Sequence, residues 1–444
     1  MVDRDAPEEP EPLHDADRVH GLLRRICFKT GPPTRVGAEL EWLVGRRDHA
    51  SAPVLLADLL PLLARAMPFP GGSTVTVEPG GQVELSSQPA VGVARCHEAL
   101  AADVGHLEAV LAAAGLVLVP SGIDPHRPPV RQLHQPRYDA MAAYFTTLPS
   151  GLGHVMMTAT ASVQVNLDTG ADDADVARRW HLLHVVGPAL SAAFANSPVH
   201  HGRATGWKST RQAVWLRLDP ARSYAPAGAD PVTAWAEYAV TAPVMMLRTD
   251  SGPWRPAPGF TFADWLAGRV AGLAPPTVDD LRYHLSTLFP PVRPRGWFEV
   301  RYLDAQAPRW WPVPVAVLAT LLAEPVAADL AQEACEPVAH AWATAARRGL
   351  DDPALARAAL AVFAAVVDRV EDRGLRQTVT RFLERYAARA RCPADDALAP
   401  PGGRSAERPA ERPADDALAP PGGWSAAVPV RAGGGFAPRG EEPR

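Results

Sequence analysis

RVGAELEW, residues 35–42, alternates along its length: Val36, Ala38, Leu40 and Trp42 point one way, Gly37, Glu39 and Glu41 the other. This alternation predicts a strand with one apolar face. The opposite face then carries two carboxylates at i and i+2, which repel each other. Two environments accommodate such a pair, a solvated edge or a cation shared between the carboxylates. The stretch by itself leaves both open.

The same pattern recurs. Residues 74–78 alternate into Glu78-Pro79-Gly80-Gly81, a turn signal, and the chain resumes as Gln82-Val83-Glu84-Leu85-Ser86, which reads as a hairpin. Residues 158–168 read as a long strand with Ser162, Gln164 and Asn166 on one side and Val163, Val165 and Leu167 on the other. Residues 297–304 alternate Trp297, Glu299 and Arg301 with Phe298, Val300 and Tyr302. Four separated segments therefore present polar, mostly acidic, side chains at strand spacing. A sheet built from them is a candidate multi-cation site.

The chain has 444 residues, 47% hydrophobic and 21% charged, enough for one large or two medium domains. A net charge of -5 and a pI near 6.3 argue against a general nucleic-acid partner. Cys27, Cys96, Cys335 and Cys392 are far apart, with neither zinc-ligand spacing nor a disulfide framework. The N-terminus is acidic and proline-rich rather than a signal peptide, and no uninterrupted apolar run reaches membrane length, so a cytoplasmic protein without a membrane partner is expected.

Between the strands, residues 14–28, 50–66, 91–114, 171–196 and 277–289 read as helices. Cys96 falls on the apolar stripe of the third and reads as core. His181 and His184, at i and i+3 with no carboxylate partner nearby in sequence, read as packing rather than ligation. Residues 196–215 read as a long polar loop whose Arg203, Lys208 and Arg211 are able to hold an anionic group. Arg293, Arg295 and Arg301 flank Glu299, either as salt-bridge partners of a carboxylate face or as guanidinium forks for phosphate or carboxylate. The alanine-rich region 313–391 predicts a helical layer on the sheet. The eleven residues PADDALAPPGG then occur twice, at 393–403 and 413–423. On composition residues 393–444 are expected to be disordered, as are residues 1–11, leaving 12–392 as the catalytic unit.

Taken in order, GAELEW at 37–42, EPGGQVELSSQP at 78–89, TASVQVNLD at 160–168, FANSP at 194–198, STRQAVW at 209–215 and HLSTLFPPVRPRGWFEVRYLD at 284–304 resemble the plant-type glutamate-cysteine ligase family, in particular its actinobacterial branch that begins ergothioneine synthesis. The resemblance covers roughly residues 20–390, and its most distinctive piece is EPGGQ-x-E. It implies an α+β fold of the glutamine-synthetase-like type, an antiparallel β-sheet funnel with helices packed on the outside. It also implies an ATP- and Mg2+-dependent reaction of small-molecule substrates, in which the γ-carboxylate of L-glutamate is phosphorylated and the amine of L-cysteine displaces phosphate.

Charge explains why such a reaction suits these residues. Bringing a polyphosphate to a carboxylate stacks negative on negative, so Mg2+ must bridge them, and Mg2+ prefers hard oxygen ligands. That points to Glu39, Glu41, Glu78, Glu84 and Glu299 as metal ligands. Gln164 and Asn166 either complete the shell or contact substrate. Arg211 is the candidate for the substrate carboxylate, and Arg293 and Arg301 for phosphate or transition-state charge. No GxxxxGK[ST] phosphate loop is present to take that task. A ligase that joins glutamate to a different amine and a non-catalytic cation- or amino-acid-binding relative are the alternatives, and the oligomeric state is left open. The disulfide regulation of plant members is not expected from these cysteines.

Overall fold

Twelve residues in one unbroken strand, Arg35–Arg46, are long enough to take different partners along their length. In the computed structural model, which describes residues 12–399 except 227, 250, 251 and 258, residues 36–40 pair with Ser162–Leu167, 39–42 with Val83–Ser86 and 43–46 with Leu116–Val119. The main path runs Val292–Pro294, Phe298–Asp304, Ser162–Leu167, Arg35–Arg46, Val83–Ser86, Thr74–Val77, and every pairing in it is antiparallel. Directly opposed residues of an antiparallel pair share a face. Glu41 opposes Glu84, Glu39 opposes Gln164, and Asn166 opposes Glu299, so the acidic segments converge on one side.

The other side is apolar. Leu40, Trp42, Val83, Leu85, Val163, Val165, Val300 and Tyr302 are buried there in one core with the helices Val93–Ala113 and Pro312–Ala323. Residues 312–322 are buried at every position, because that helix touches the sheet on one side and the helices Pro325–Cys335, Pro353–Val367 and Arg373–Arg385 on the other. Each such Val or Leu contributes about 1.5–3 kcal/mol of burial, which fixes strand register more firmly than any polar contact does. A second, smaller core joins the helices Pro136–Thr146, Gly153–Ala159 and Thr210–Leu218 through Met141, Tyr144, Phe145, Met156, Met157, Val214 and Leu218. The fold is α+β, an antiparallel sheet with helices. Among the described residues no single helix is long and apolar enough to cross a membrane, and all four cysteines are buried free thiols.

Four boundaries differ from the sequence reading. The strand expected over 158–168 starts at Ser162, since Thr158 and Thr160 turn their hydroxyls back to the carbonyls of His154 and Met156 (both 2.7 Å) and end the helix Gly153–Ala159 instead. The helix expected over 171–196 breaks into Asp173–Val185 and Gly187–Ala193, where Pro188 opens the second piece. The polar loop of 196–215 becomes helical at Thr210, because the Ser209 side chain accepts from the Gln212 amide (3.1 Å) and caps it. The boundary of the expected tail also moves: Pro393–Leu398 form a helix, with Pro393 and Ala394 buried. Residues 1–11 and 400–444, including the second copy of the repeat, lie outside the described residues.

The hairpin that carries Glu78 and Glu84 is pinned at its tip. Gln82 donates to the carbonyl of Thr160 (2.9 Å) and accepts from the Gly80 amide (2.9 Å). A Cβ on Gly80 would stand 2.0 Å from the carbonyl oxygen of Thr158. Gly80→Ala is therefore expected to cost about 1–3 kcal/mol, as overpacking against backbone does. Urea denaturation measures it; a loss below about 0.5 kcal/mol would show that the tip yields freely.

Candidate active site

Four glutamates face one another across the sheet with few opposite charges among them. Glu39 accepts from Asn166 Nδ2 (3.0 Å), Glu41 from Gln164 Nε2 (2.7 Å), and Glu84 from the hydroxyls of Thr76 (3.0 Å) and Ser86 (3.1 Å). Glu78 stands at the base of the hairpin turn. Burial, reinforced by Glu299 and Glu84, pushes the Glu39 carboxyl up to about 7. Burial, with Glu41 and Glu84 beside it, pushes Glu78 up to about 8. Glu41 and Glu84 are also raised, Glu41 by burial that outweighs Arg211 and Arg301, Glu84 by burial and by Glu41. Neutral pH thus finds a face on which full ionisation is opposed.

Glu299 behaves in the opposite way. It is fully buried, yet both its oxygens are occupied: Oε2 by Arg293 Nε (2.7 Å) and Arg301 Nη1 (2.8 Å), Oε1 by Arg295 Nη1 (2.8 Å). Burial alone would raise its carboxyl, but the three guanidiniums hold it well below the usual range. The sequence reading grouped Glu299 with the cation ligands; the structure sets it against guanidiniums. Arg293 is lowered to about 10 by burial, against the pull of Glu299, and so is still charged at neutral pH. Arg301 is raised, because Glu299, Glu41 and Glu39 outweigh its burial.

Gln164 and Asn166 bridge the two halves. Each donates its amide to a glutamate and accepts from the basic side, Gln164 from Arg301 Nη1 (2.5 Å) and Asn166 from the Trp297 indole (3.0 Å). Arg211 lies behind this layer and is only 2% exposed. Its Nη2 donates to the carbonyl of Arg301 (3.0 Å), its Nη1 sits 3.9 Å from Asp304 without a hydrogen-bond partner, and its charge acts on Glu41.

Several residues of the site escaped the sequence reading. Asp304 is buried and takes hydrogen bonds from the Asn196 amide (2.8 Å) and the hydroxyls of Ser197 (2.7 Å) and Ser209 (2.9 Å), fixing the FANSP segment to the sheet. Arg137 and Tyr138, on the helix Pro136–Thr146, bring a guanidinium and a phenol into the field of Glu78. Arg137 is held by Ser286 Oγ (3.0 Å) and lies 5.1 Å from the centre of the Tyr283 ring. Nothing periodic in the sequence announces Arg137 or Tyr138. Ser209, by contrast, has a local signal that the sequence reading passed over, the S-x-x-Q spacing to Gln212 of a capping box. His181 pairs with Glu336 (2.9 Å) and His184 packs 4.5 Å from Trp180, so both stay in the helical layer.

Among the described residues, no group of three or more His, Cys, Asp or Glu is placed to hold a metal ion by itself. Mg2+ does not require one, since it is usually held by one or two carboxylates together with water and substrate phosphates. Opposed Glu41 and Glu84, flanked by Glu39 and Glu78, form an all-oxygen donor set whose mutual repulsion a divalent cation relieves, and in that sense the residues fit the ion. A cavity of about 650 Å3 lies elsewhere, between the Val93–Ala113 helix and Trp310 and Trp311, and shares no residue with this face.

A sequence model of the glutamate-cysteine ligase family 2 matches residues 35–409. The glutamate-cysteine ligase EgtA of Mycobacterium tuberculosis is 45% identical over 406 residues, covering 89% of this chain and 92% of that protein. EgtA of Mycolicibacterium smegmatis is 46% identical over 87% of this chain and 92% of its own length. The chloroplastic glutamate-cysteine ligase of Brassica juncea is 34% identical over 53% of this chain and 46% of that one. Among solved structures, a glutamate-cysteine ligase from Francisella tularensis in complex with AMP aligns with a TM-score of 0.47 at 13% identity, over 84% of this chain and 85% of the other. The chain belongs to the glutamate-cysteine ligase family 2 and is an enzyme of the ligase class.

Proposed function

We propose that the protein joins the γ-carboxylate of L-glutamate to the amine of L-cysteine, with ATP cleaved to ADP and phosphate. The observation that carries this reading is one sheet face on which four raised carboxylates adjoin three guanidiniums through Gln164 and Arg301. A carboxylate oxygen of glutamate attacks the γ-phosphorus, the bond to the ADP oxygen breaks, and an acyl phosphate results. The amine then attacks the acyl carbon, phosphate leaves, and the amine gives up a proton. Divalent cations, each held by one or two of Glu39, Glu41, Glu78 and Glu84, would supply charge neutralisation for the phosphates. Arg301 and Arg293, preset by Glu299, present fixed positive charge where negative charge gathers. Arg211 supports Arg301 from behind and biases Glu41; its link to the substrate carboxylate runs through that layer or through its unpartnered Nη1. High identity to the mycobacterial EgtA proteins over nearly their whole length supports placing the reaction as the first step of ergothioneine biosynthesis, in the cytoplasm.

Three outcomes check this. Purified protein with ATP, Mg2+ and glutamate should release ADP and phosphate, with cysteine preferred among amines and hydroxylamine trapped as a glutamyl hydroxamate; AMP and pyrophosphate would overturn the mechanism. Glu84→Gln should lower turnover by about 100-fold or more while the apolar face keeps the fold, as loss of an electrostatic contributor does. Near-normal turnover at saturating Mg2+ would remove Glu84 from the site.

The third outcome is a pH dependence. Glu39 and Glu78 rise from 4.5 to about 7 and about 8 on folding, so the stability they contribute is complete below pH 4.5 and is lost as pH rises through those values. In EDTA, thermal stability should therefore fall between pH 6 and pH 9, less steeply for Glu78→Gln, and added Mg2+ should flatten the slope. Equal slopes for the two proteins would contradict the burial of charge at Glu78.

A further inference from the structure

We propose that the helix Pro393–Leu398 is a clasp that positions the site-bearing segment 196–211, with Asp395 and Lys208 as positioning residues. The inference rests on the reading of the carboxylate face as the catalytic site. Lys208, one of two lysines in the chain, has a side chain only 12% exposed, and its ammonium ion pairs with Asp395 and with Asp351 (3.2 Å). A buried ammonium without partners is costly, and the clasp helix supplies one of the two carboxylates that make this lysine tolerable there.

The seat is built for this segment. The amide of Ala394 donates to the carbonyl of Ala195 (2.9 Å), and Ala195, Cys392 and Ala394 form a closed apolar contact. Gly349 leaves the room: at φ +52 a Cβ there would press on Lys208 Cγ (3.1 Å) and Cys392 Sγ (3.2 Å). Asp396 ties the far side of the helix to Arg385 (2.7 Å) and Arg391 (3.0 Å).

From Lys208 the contacts lead directly into the site. Its carbonyl accepts from the Ser197 amide (3.0 Å), and its own amide donates to Arg347 (3.2 Å). Ser197 and the adjoining Ser209 hold the two oxygens of Asp304, and the Arg211 amide donates to Ser197 Oγ (3.1 Å). Asp304 faces Arg211, whose Nη2 supports the backbone of Arg301. A displaced Lys208 moves both serines, and through them the guanidinium behind the catalytic face. The identical repeat at 413–423 follows Arg412 where the first copy follows Cys392. The Cys392 position is fully buried and has no room for a guanidinium, so the clasp role falls to the first copy.

Four variants test this: Asp395→Asn, Lys208→Met, a chain ending at Ala399 and a chain ending at Arg391. The glutamate KM is expected to rise about tenfold in Asp395→Asn, Lys208→Met and the chain ending at Arg391, with the ATP KM within about twofold, since a small displacement of positioning groups is enough for such an effect. Lys208→Arg should recover most of the loss, and the chain ending at Ala399 should match the full chain. Hydrogen exchange supplies a readout independent of turnover. The amides of Ser197, Ser209 and Arg211 should exchange faster in Asp395→Asn, while those of the 74–86 hairpin do not change. Should the chain ending at Arg391 fail to fold, Asp395→Asn in the full chain carries the test. Unchanged exchange at Ser197, Ser209 and Arg211 in Asp395→Asn overturns the clasp whatever the substrate proves to be. So does a loss of kcat that merely follows thermal stability with both KM values unmoved. Faster exchange in a protein that does not turn over glutamate would instead support the clasp and refute the assigned reaction.

Discussion

Like charges held in register on one sheet face are the constraint around which this protein is built. Glu41 and Glu84 are directly opposed. Opposed side chains start about 5 Å apart, where two full charges at a protein-like dielectric of about 20 repel by roughly 3 kcal/mol. The apolar side resists the relaxation that repulsion would drive. A slip of one residue would carry Glu39 and Glu41 into the core and expel Leu40 and Trp42, both with no exposed surface. The carboxyls held on the opposite side are raised above their ordinary values, by their own burial first and by one another second.

Glu299 shows how the same sheet handles positive charge. Three guanidiniums would repel one another as the glutamates do, and a single buried carboxylate organises them. Removing one partner from such a buried cluster typically costs about 3–5 kcal/mol, because the other charges stay behind unpaired. Glu299 has both oxygens taken by arginines, whereas neutral donors hold Glu39, Glu41 and Glu84. Two carboxylate populations on one face, one paired with guanidiniums and one held by neutral donors, arise from register: Arg293 opposes Glu299 across the outer pair, while Glu41 and Glu84 oppose each other at the centre. Arg301 joins the populations by donating to both Glu299 and Gln164.

How much of this was legible in the sequence follows from the range of each signal. Period-two alternation is local, so Glu39, Glu41, Glu84, Gln164 and Asn166 were assigned to one face before any pairing was known. Asp304 was not, and a β-bulge explains why. Alternation from Glu299 and Arg301 would put Leu303 on the polar face, but the register shifts between Val300 and Leu303, and Asp304 comes to oppose Ser162. Two successive apolar residues, Tyr302 and Leu303, were the visible trace of that shift. Arg137 and Tyr138 had no local trace. They reach the acidic face only because helices of the second core pack there, a tertiary relation that periodicity does not encode.

The end of the folded unit shows the reverse error, in which composition overruled local detail. Averaged over residues 393–444, proline, glycine and alanine indicate a chain without a core. Inside that average, Cys392 precedes a proline at the first helical turn and two aspartates, the ordinary grammar of a helix start. Residues 413–416, outside the described residues, repeat that grammar letter for letter. What seats the first copy is its surroundings: a buried thiol before it, a lysine paired with its carboxylate, and a glycine that leaves space for both. Contacts with Lys208, Ala195 and Arg385, all distant or separate in sequence from the local helix start, hold residues 392–396 against the rest of the fold.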